Sequence, residues 1–424
     1  MDTFDVLVVG AGPAGSTTAY RLAGAGARVL LVDRARFPRD KPCGGAISAR
    51  AMRELPIDPH PVVEHVAESM ELSYRGRRPY LRGGHHTLAY LTQRRRLDHF
   101  LLERALSAGA ELQDGVRVTE ISEHGARVNG RRVECNVLIG ADGANGPTAR
   151  SLGLASKRIY GVALEGNLAH ALVDPARWRS RVVIELGTIP GGYCWIFPKG
   201  DHINVGVGGW QSVGPTLRKH LEALCKRRGF DYSKLTGLQG YRLPARTPGA
   251  PLASSGALLV GDAAGLVDPL WGDGIYAAFL SSRLATNAAL NRLAGQTAGL
   301  HDYAQAIVRE LGPMTAFAWN AKLALDRVPR LALGALLSKP GWHTVESMLR
   351  GQTREPDAEP GIAGIAVRGF DSIGRRMGWP GTQYRTETLA AQAPNRQSSR
   401  LNPARPAARS GRRSEPSRSS GVET

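Results

Sequence analysis

The sequence predicts an α/β fold: a parallel-sheet domain into which an antiparallel sheet is inserted, followed by a helical region. Three observations support it. Short apolar strands that run straight into glycine occur at Val6–Val9, Val137–Ile139 and Leu258–Val260, the pattern of strands buried on both faces of a parallel sheet. Between the last two, Tyr193, Trp195 and Phe197 alternate with Cys194 and Ile196, and a Lys-Gly-Asp turn returns through Ile203, Val205 and Val207. That is a hairpin of period-two strands, with the three rings on one face and the two small residues behind. From Ala285 to about Arg350 the pattern is helical, punctuated by Pro329 and Pro340.

Composition sets the limits. A chain of 424 residues, 42% hydrophobic, has room for two or three domains and a sizeable core. The start, MDTFDVLVVGAGPAG, is acidic where a secretory leader is basic, and no run is long enough to span a bilayer. Cys43, Cys135, Cys194 and Cys225 lack metal spacing and are expected as reduced thiols in a cytoplasmic protein, with no metal site. The net charge of +18 is partly local, because residues 385–424 hold eight arginines against three acids among Ser and Pro. Such a segment builds no core and is expected to be disordered. No nucleic-acid motif accompanies the charge; basic patches such as Arg75–Arg78 and Arg94–Arg96 read as solvated surface or as attraction to an anionic membrane face.

The first element is FDVLVVGAGPAGSTTAYRLAGAGARVLLVDR, Phe4 to Arg34. A β-branched strand, glycines, a helix over Ala14–Ala23 and a second strand over Val29–Val32 follow in order. Gly10, Gly12 and Gly15 permit a tight turn and let backbone approach a pyrophosphate at the helix N-terminus. Asp33 falls where a carboxylate accepts from a ribose. The unit binds a dinucleotide without saying which.

Three later blocks narrow this. LTQRRRLDHFLLERALSAGAEL (Leu91–Leu112) opens a helix with an arginine cluster; VLIGADGANGPTARSLGL (Val137–Leu154) and GALLVGDAAGLVDPLWGDGIYAAFLSSRLA (Gly256–Ala285) are strands followed by Asp-Gly and Gly-Asp turns. Together they resemble the FAD-binding domain of aromatic-hydroxylase-like flavoproteins. The resemblance implies a Rossmann-type FAD-binding domain at 1–64, 93–154 and 252–290, with an inserted antiparallel-sheet substrate domain at 65–92 and 155–251. A helical region at 291–384 and the basic tail at 385–424 complete the chain. It further implies that Gly261 and Asp262 meet the ribityl chain, Arg94 the flavin or its phosphates, Val118 the adenine, and Asp142 the dinucleotide. Gly272 and Gly274 precede a helix starting at Ile275, whose positive end would face the flavin pyrimidine. One departure is Gly146, where relatives carry Ser after the Asp-Gly turn.

Within that fold, KPCGGAIS (Lys41–Ser48), the stretch Tyr193-Cys194-Trp195-Ile196-Phe197-Pro198, and Gly265 in place of a hydroxylase His are similar to the geranylgeranyl reductase family. Trp271 and Asp273 depart from its commoner Thr and Glu. The resemblance implies FAD-dependent saturation of double bonds in a polyprenyl lipid or quinone-type substrate. It places Cys43, Gly44 and Gly45 near the flavin, and Tyr193, Trp195, Phe197 and Trp271 along the substrate. A trisubstituted alkene needs a proton with its hydride, and Cys43 and Tyr193 are the candidate donors. Trp195 is the candidate stabiliser of the tertiary cation, although an aromatic stripe of this period also describes ordinary core. No second glycine fingerprint appears, so no dedicated nicotinamide domain is expected; electrons are expected from NADPH visiting transiently or from a reduced ferredoxin-type carrier. The chain is expected to act as a monomer. Residues near 323–342 read as a helix packing onto the FAD domain, or else as a peripheral membrane contact. A monooxygenase or halogenase acting on a small aromatic or apolar molecule is the alternative.

Overall fold

A computed structural model describes residues 2–156, 158–296, 299–353 and 380–392, with isolated positions between 364 and 378. The strand Asp2–Val9 lies at the centre of a seven-stranded sheet, paired in parallel with Val29–Val32 on one side and Arg131–Gly140 on the other. Glu111–Gln113 and Ala257–Leu259 extend it in parallel, and the hairpin Val118–Ser122 with Gly125–Val128 closes it antiparallel. The helices Pro13–Gly24, Arg94–Ser107 and Ile275–Leu293 pack on one face. Val6, Val8, Leu31, Val137, Ile139, Leu258 and Phe279 are fully or almost fully buried there. All of these strands except the hairpin end at glycines or loops along one sheet edge, where open α/β sheets bind ligands.

The second sheet also has seven strands, in the order Thr236–Arg246, Arg158–Ala169, His202–Trp210, Tyr193–Pro198, Arg181–Leu186, Ser69–Tyr74, Arg77–Gly83. The expected hairpin is present, with Phe197 opposite Asn204 and Pro198 opposite Ile203. One pair departs from the antiparallel expectation: Arg181–Leu186 runs parallel to Ser69–Tyr74. Those strands come from the two separate inserted segments, so no hairpin connection dictates their direction. A small third sheet is separate, with Ala89–Leu91 paired antiparallel between Ala46–Ser48 and His65–Ala67.

The helical region differs from expectation in what it covers. Gly299–Arg327 packs on Ile275–Leu293, but Pro329–Leu337 and Lys339–Leu349 close over the second sheet. Trp342, Val345, Leu336 and Leu337 join one core with Leu72, Ile184 and Trp195, so these helices roof the inserted sheet, while Lys339–Leu349 also touches the helix Ala49–Glu54. Both prolines sit where proline is tolerated, in first turns, and the Ser338 hydroxyl caps the second by accepting from Gly341 N–H.

The tail expected from residue 385 begins later. Pro380–Gln392 is a helix, its Tyr384 is 2% exposed, and its Glu387 pairs with Arg246 at 2.7 Å. One ring and one acid at helical spacing anchor this turn before the Ser/Pro/Arg composition takes over. The remainder of the tail, 393–424, lies outside the described residues.

Candidate active site

At the glycine-bearing edge of the parallel sheet the first turn is shaped by contact. Gly10 has φ +109°, and a Cβ there would lie 2.3 Å from Ala141 O; one on Gly15 would lie 1.8 Å from Gly10 O. These two glycines seat the helix against the strand. Gly12 differs: a Cβ there would meet only the tip of Arg39, at 3.6 Å. The open space lies above the start of the helix Pro13–Gly24, lined by Gly12, Pro13, Ala14, Arg34, Lys41 and Asp142. A helix start facing an open, cation-flanked cradle fits a pyrophosphate. Asp142 supplies a further sign of an occupant, since its Oδ1 is buried without a protein partner.

Asp33 backs this cradle rather than lining it. Its Oδ2 accepts from Ala11 N–H at 2.8 Å and its Oδ1 from Ala35 N–H at 2.8 Å, so the carboxylate clamps the glycine turn. Val118 also stands off the cavity, paired with Val128 in the hairpin, because the chain turns at Gly115 and puts Val116 N–H on Asp33 O. Asp142 Oδ2 accepts from Thr148 N–H at 2.8 Å, and a Cβ on Gly146 would fall 2.0 Å from its Cγ. The departure at 146 is thereby explained: the Asp142 carboxyl occupies the space a side chain would need.

Arg94 reaches the cavity from the first turn of its helix, gripping Asp98 through Nε and Nη2 at 2.6 and 2.7 Å; Arg39 joins the same carboxylate at 3.1 Å. Burial opposes the Arg94 charge, but Asp98 and the Cys43 thiol outweigh it and hold the guanidinium above its ordinary value. Asp262 lines the cavity beside Gly272, Gly274 and Ile275, while Gly261 lies just behind, its backbone N–H on Ser281 Oγ. Gly265 sits at φ +74°, where a Cβ would lie 3.2 Å from Arg246 N, so a histidine there would be strained as well as crowded. At the start of Ile275–Leu293, Asp273 Oδ1 accepts from Ile275 N–H at 3.0 Å and Tyr276 N–H at 3.2 Å. Two of the free N–H groups expected to face the flavin are thus capped by the residue that departs from the family pattern.

Tyr193, Trp195 and Phe197 form one wall of the same cavity, at centroid separations of 6.0 and 6.4 Å. Cys194 and Ile196 point the other way, into a core with Val205, Val207 and Leu221. The glycines of two motifs make room for these rings. A Cβ on Gly206 would lie 2.1 Å from Trp195 Cζ2, and one on Gly44 2.8 Å from Phe197 Cδ2. The indole lies flat on the return strand, its Nε1–H donating to Asn204 Oδ1 at 2.8 Å. The Tyr193 hydroxyl donates to Trp271 O, and burial pushes its pKa far up, so it stays protonated.

The structure adds residues that the sequence did not single out. Glu165 is buried behind the Cys43 loop and accepts from Cys43 N–H at 2.7 Å. Lys199, directly after Pro198, is buried with its Nζ on Gly44 O and Thr92 O; burial lowers its pKa to about 8, against the pull of Cys43, Glu165 and Glu64. Lys322 lies 4.4 Å over the Trp210 ring and donates to Gly191 O at 2.5 Å. A lone acid in a strand of apolar residues and glycine was the legible signal for Glu165; Lys199 and Lys322 carried none.

The family described as FAD binding domain matches residues 3–186. Geranylgeranyl diphosphate reductase of Rhodobacter capsulatus is 32% identical over 302 residues, 68% of this chain and 75% of that protein. Menaquinone reductase of Mycobacterium tuberculosis is 32% identical over 314 residues, 67% of this chain and 76% of that one. Among solved structures, a geranylgeranyl bacteriochlorophyll reductase-like protein from Thermoplasma acidophilum superposes with TM-score 0.70 at 22% identity, over 89% of this chain and 99% of that chain. A flavin-dependent brominase superposes with TM-score 0.70 at 18% identity, over 88% and 100%. The two structural likenesses show the fold alone. Together with the cradle for FAD, the sequence relatives show more: the chain belongs to the geranylgeranyl reductase family of FAD-dependent oxidoreductases.

Proposed function

We propose that the protein saturates carbon–carbon double bonds in a polyprenyl chain of a geranylgeranyl lipid or quinone, with FAD reduced by NADPH or a ferredoxin-type carrier. The observation that carries this reading is a second, larger cavity that ends on the aromatic wall. Its volume is about 650 Å³, and it lies between the antiparallel sheet and the roof of helices, lined by Leu72, Ile184, Leu186, Leu325, Leu333 and Leu336. It shares Tyr193, Trp210, Trp271 and Lys322 with the cofactor-side cavity of about 350 Å³. A long apolar chain fits such a space, and one of its double bonds would then lie beside the rings.

Bound FAD, once reduced, supplies the hydride equivalent. The chain's own residues do the rest. The rings exclude water from a developing tertiary cation and present their faces to it. Gly44 and Gly45 let the Cys43 loop close against Phe197 and Thr92 without side chains between them. The brominase shares the fold, but the Rhodobacter and Mycobacterium relatives, both 32% identical, carry reductase names, which favours reduction over halogenation or oxygenation.

The cavity roof also supports a peripheral membrane contact. Helix Pro329–Leu337 lines the cavity with Ala332, Leu333 and Leu336, yet leaves Leu331 68% exposed beside Val328 at 44%, flanked by Arg327 and Arg330. Among the described residues no helix is long and apolar enough to cross a membrane.

The test is anaerobic. Dithionite-reduced enzyme mixed with geranylgeranyl diphosphate or menaquinone should be reoxidised, with a product mass gain of two hydrogens per bond that, for menaquinone, persists after the quinone head is reoxidised. Trp195→Ala should be reduced normally but reoxidised slowly. No reoxidation by either lipid, or substrate-linked oxygen uptake in a parallel aerobic assay, would overturn the proposal.

A further inference from the structure

Behind the aromatic wall lies a connected set of polar groups. Glu165 is 5% exposed and projects from the middle of Arg158–Ala169. Its Oε1 accepts from Cys43 N–H at 2.7 Å, and its Oε2 accepts from the Tyr241 hydroxyl at 3.3 Å. Tyr241 stands opposite Ala163 on the neighbouring strand, so it is the diagonal partner of Glu165 on the same face of the sheet. Its ring lines the cofactor-side cavity with Cys43, Tyr193 and Trp195. The groups facing Glu165 are Tyr241 from one strand, Lys199 and Asn204 from the hairpin, and Cys43 from its loop; Glu64 in turn faces Lys199.

We propose that Tyr241 delivers the proton to the substrate alkene and that Glu165 restores it. The proposal rests on the reading of the cavity as a prenyl-reductase site. In the step, the Tyr241 O–H bond breaks and a C–H bond forms at one alkene carbon, while the other carbon takes the hydride equivalent from reduced FAD. The alkene gains two electrons and the cofactor loses two. The tyrosinate then takes the proton of the Glu165 carboxyl, and Glu165 takes one back from solvent, so each bond consumes one proton and one hydride. Lys199, a protonated neighbour below its pKa, offsets the carboxylate in the interval.

The geometry selects Tyr241 over the two donors read from the sequence. The Tyr193 hydroxyl is committed to a backbone carbonyl, Trp271 O; Asp268 and Asp273 lie near it, but among the described residues no carboxyl is hydrogen-bonded to it. The Cys43 sulfur is engaged as an acceptor, from Gly45 N–H at 3.4 Å and from the Arg94 side chain, and among the described residues no hydrogen bond ties it to a carboxyl that could resupply a proton. Burial raises the Glu165 pKa, opposed by the Cys43 N–H and by Lys199, so the carboxyl holds its proton above the ordinary carboxylate range. Glu165 is a positioning residue, acting through Tyr241.

The experiment follows single-turnover reoxidation of dithionite-reduced enzyme by geranylgeranyl diphosphate or menaquinone across a pH series. Tyr241→Phe is expected to slow reoxidation by about 10²–10⁴-fold, the usual worth of a general acid, with FAD content and reduction by dithionite unchanged. In the wild type the rate falls as pH rises through the Glu165 pKa; Glu165→Gln is slower and lacks that fall. Infrared difference spectra of the wild type should show a carboxylic-acid carbonyl band that disappears above the ordinary carboxyl range and is absent from Glu165→Gln. Wild-type reoxidation by Tyr241→Phe, an alkaline fall retained in Glu165→Gln, or no such band overturns the proposal. A wild-type enzyme that neither lipid reoxidises overturns the reductase reading, and this one with it.

Discussion

Gly206→Ala tests whether the indole of Trp195 must lie flat on its neighbouring strand. The new Cβ would fall 2.1 Å from Trp195 Cζ2 and 2.3 Å from Cε2, whereas carbon atoms rest at about 3.5–4.0 Å. The ring must therefore move by roughly 1.5 Å, and the cavity that Trp195 lines offers open space for that movement. Overpacking of this kind costs about 1–3 kcal/mol. The same movement breaks the 2.8 Å bond from Trp195 Nε1 to Asn204, adding about 1 kcal/mol. The sum is about 2–4 kcal/mol. With an unfolding entropy of roughly 2 cal/mol/K per residue over the unit Met1–Ala391, that corresponds to a fall in Tm of about 2–5 °C. Calorimetry measures the fall, and anaerobic reoxidation by geranylgeranyl diphosphate measures the obstruction of the cavity. Gly240→Ala is the control: its Cβ would lie an ordinary 3.4 Å from Ala163 O, so it should be neutral. A Gly206→Ala protein with wild-type Tm and wild-type reoxidation would refute the reasoning.

Two further outcomes follow from the same structure. Lys199 has a folded-state pKa of about 8 against an ordinary 10.5; a depressed lysine pKa favours the neutral form, so its stability contribution is present above about 10.5 and lost as pH falls toward 8. Lys199→Met should remove that dependence, on the order of 3 kcal/mol across the window, and an unchanged difference between the two proteins from pH 10 to pH 8 in denaturant titrations would contradict it. Leu331→Glu, on the exposed side of the cavity roof, should weaken flotation with anionic phospholipid vesicles several-fold while leaving FAD content unchanged; equal flotation would remove the membrane contact.

Local pattern determined much of the parallel-sheet domain. The strand Val29–Val32 and the helix after Gly12 fall within a residue or so of where spacing put them, because a buried strand, a glycine turn and a helix start are each specified by neighbours in the chain. The hairpin and the face carrying the three rings were legible for the same reason: period two leaves no freedom once one ring is placed. The tail boundary failed locally, since nothing near Tyr384 announces Trp319 and Arg246 as partners across the chain.

What the sequence by itself determined is the cofactor cradle and the direction of the aromatic side chains, features built from contacts a few residues apart. The tertiary structure alone decided that Asp33 clamps a turn, that Asp273 caps a helix, and that the helices from Pro329 to Leu349 roof a cavity over the inserted sheet. It also decided that Glu165, Lys199 and Tyr241 meet beside Cys43. Those groups are separated by 34 to 198 positions along the chain, and a buried charge is tolerated only where folding brings it a partner, which no local pattern records.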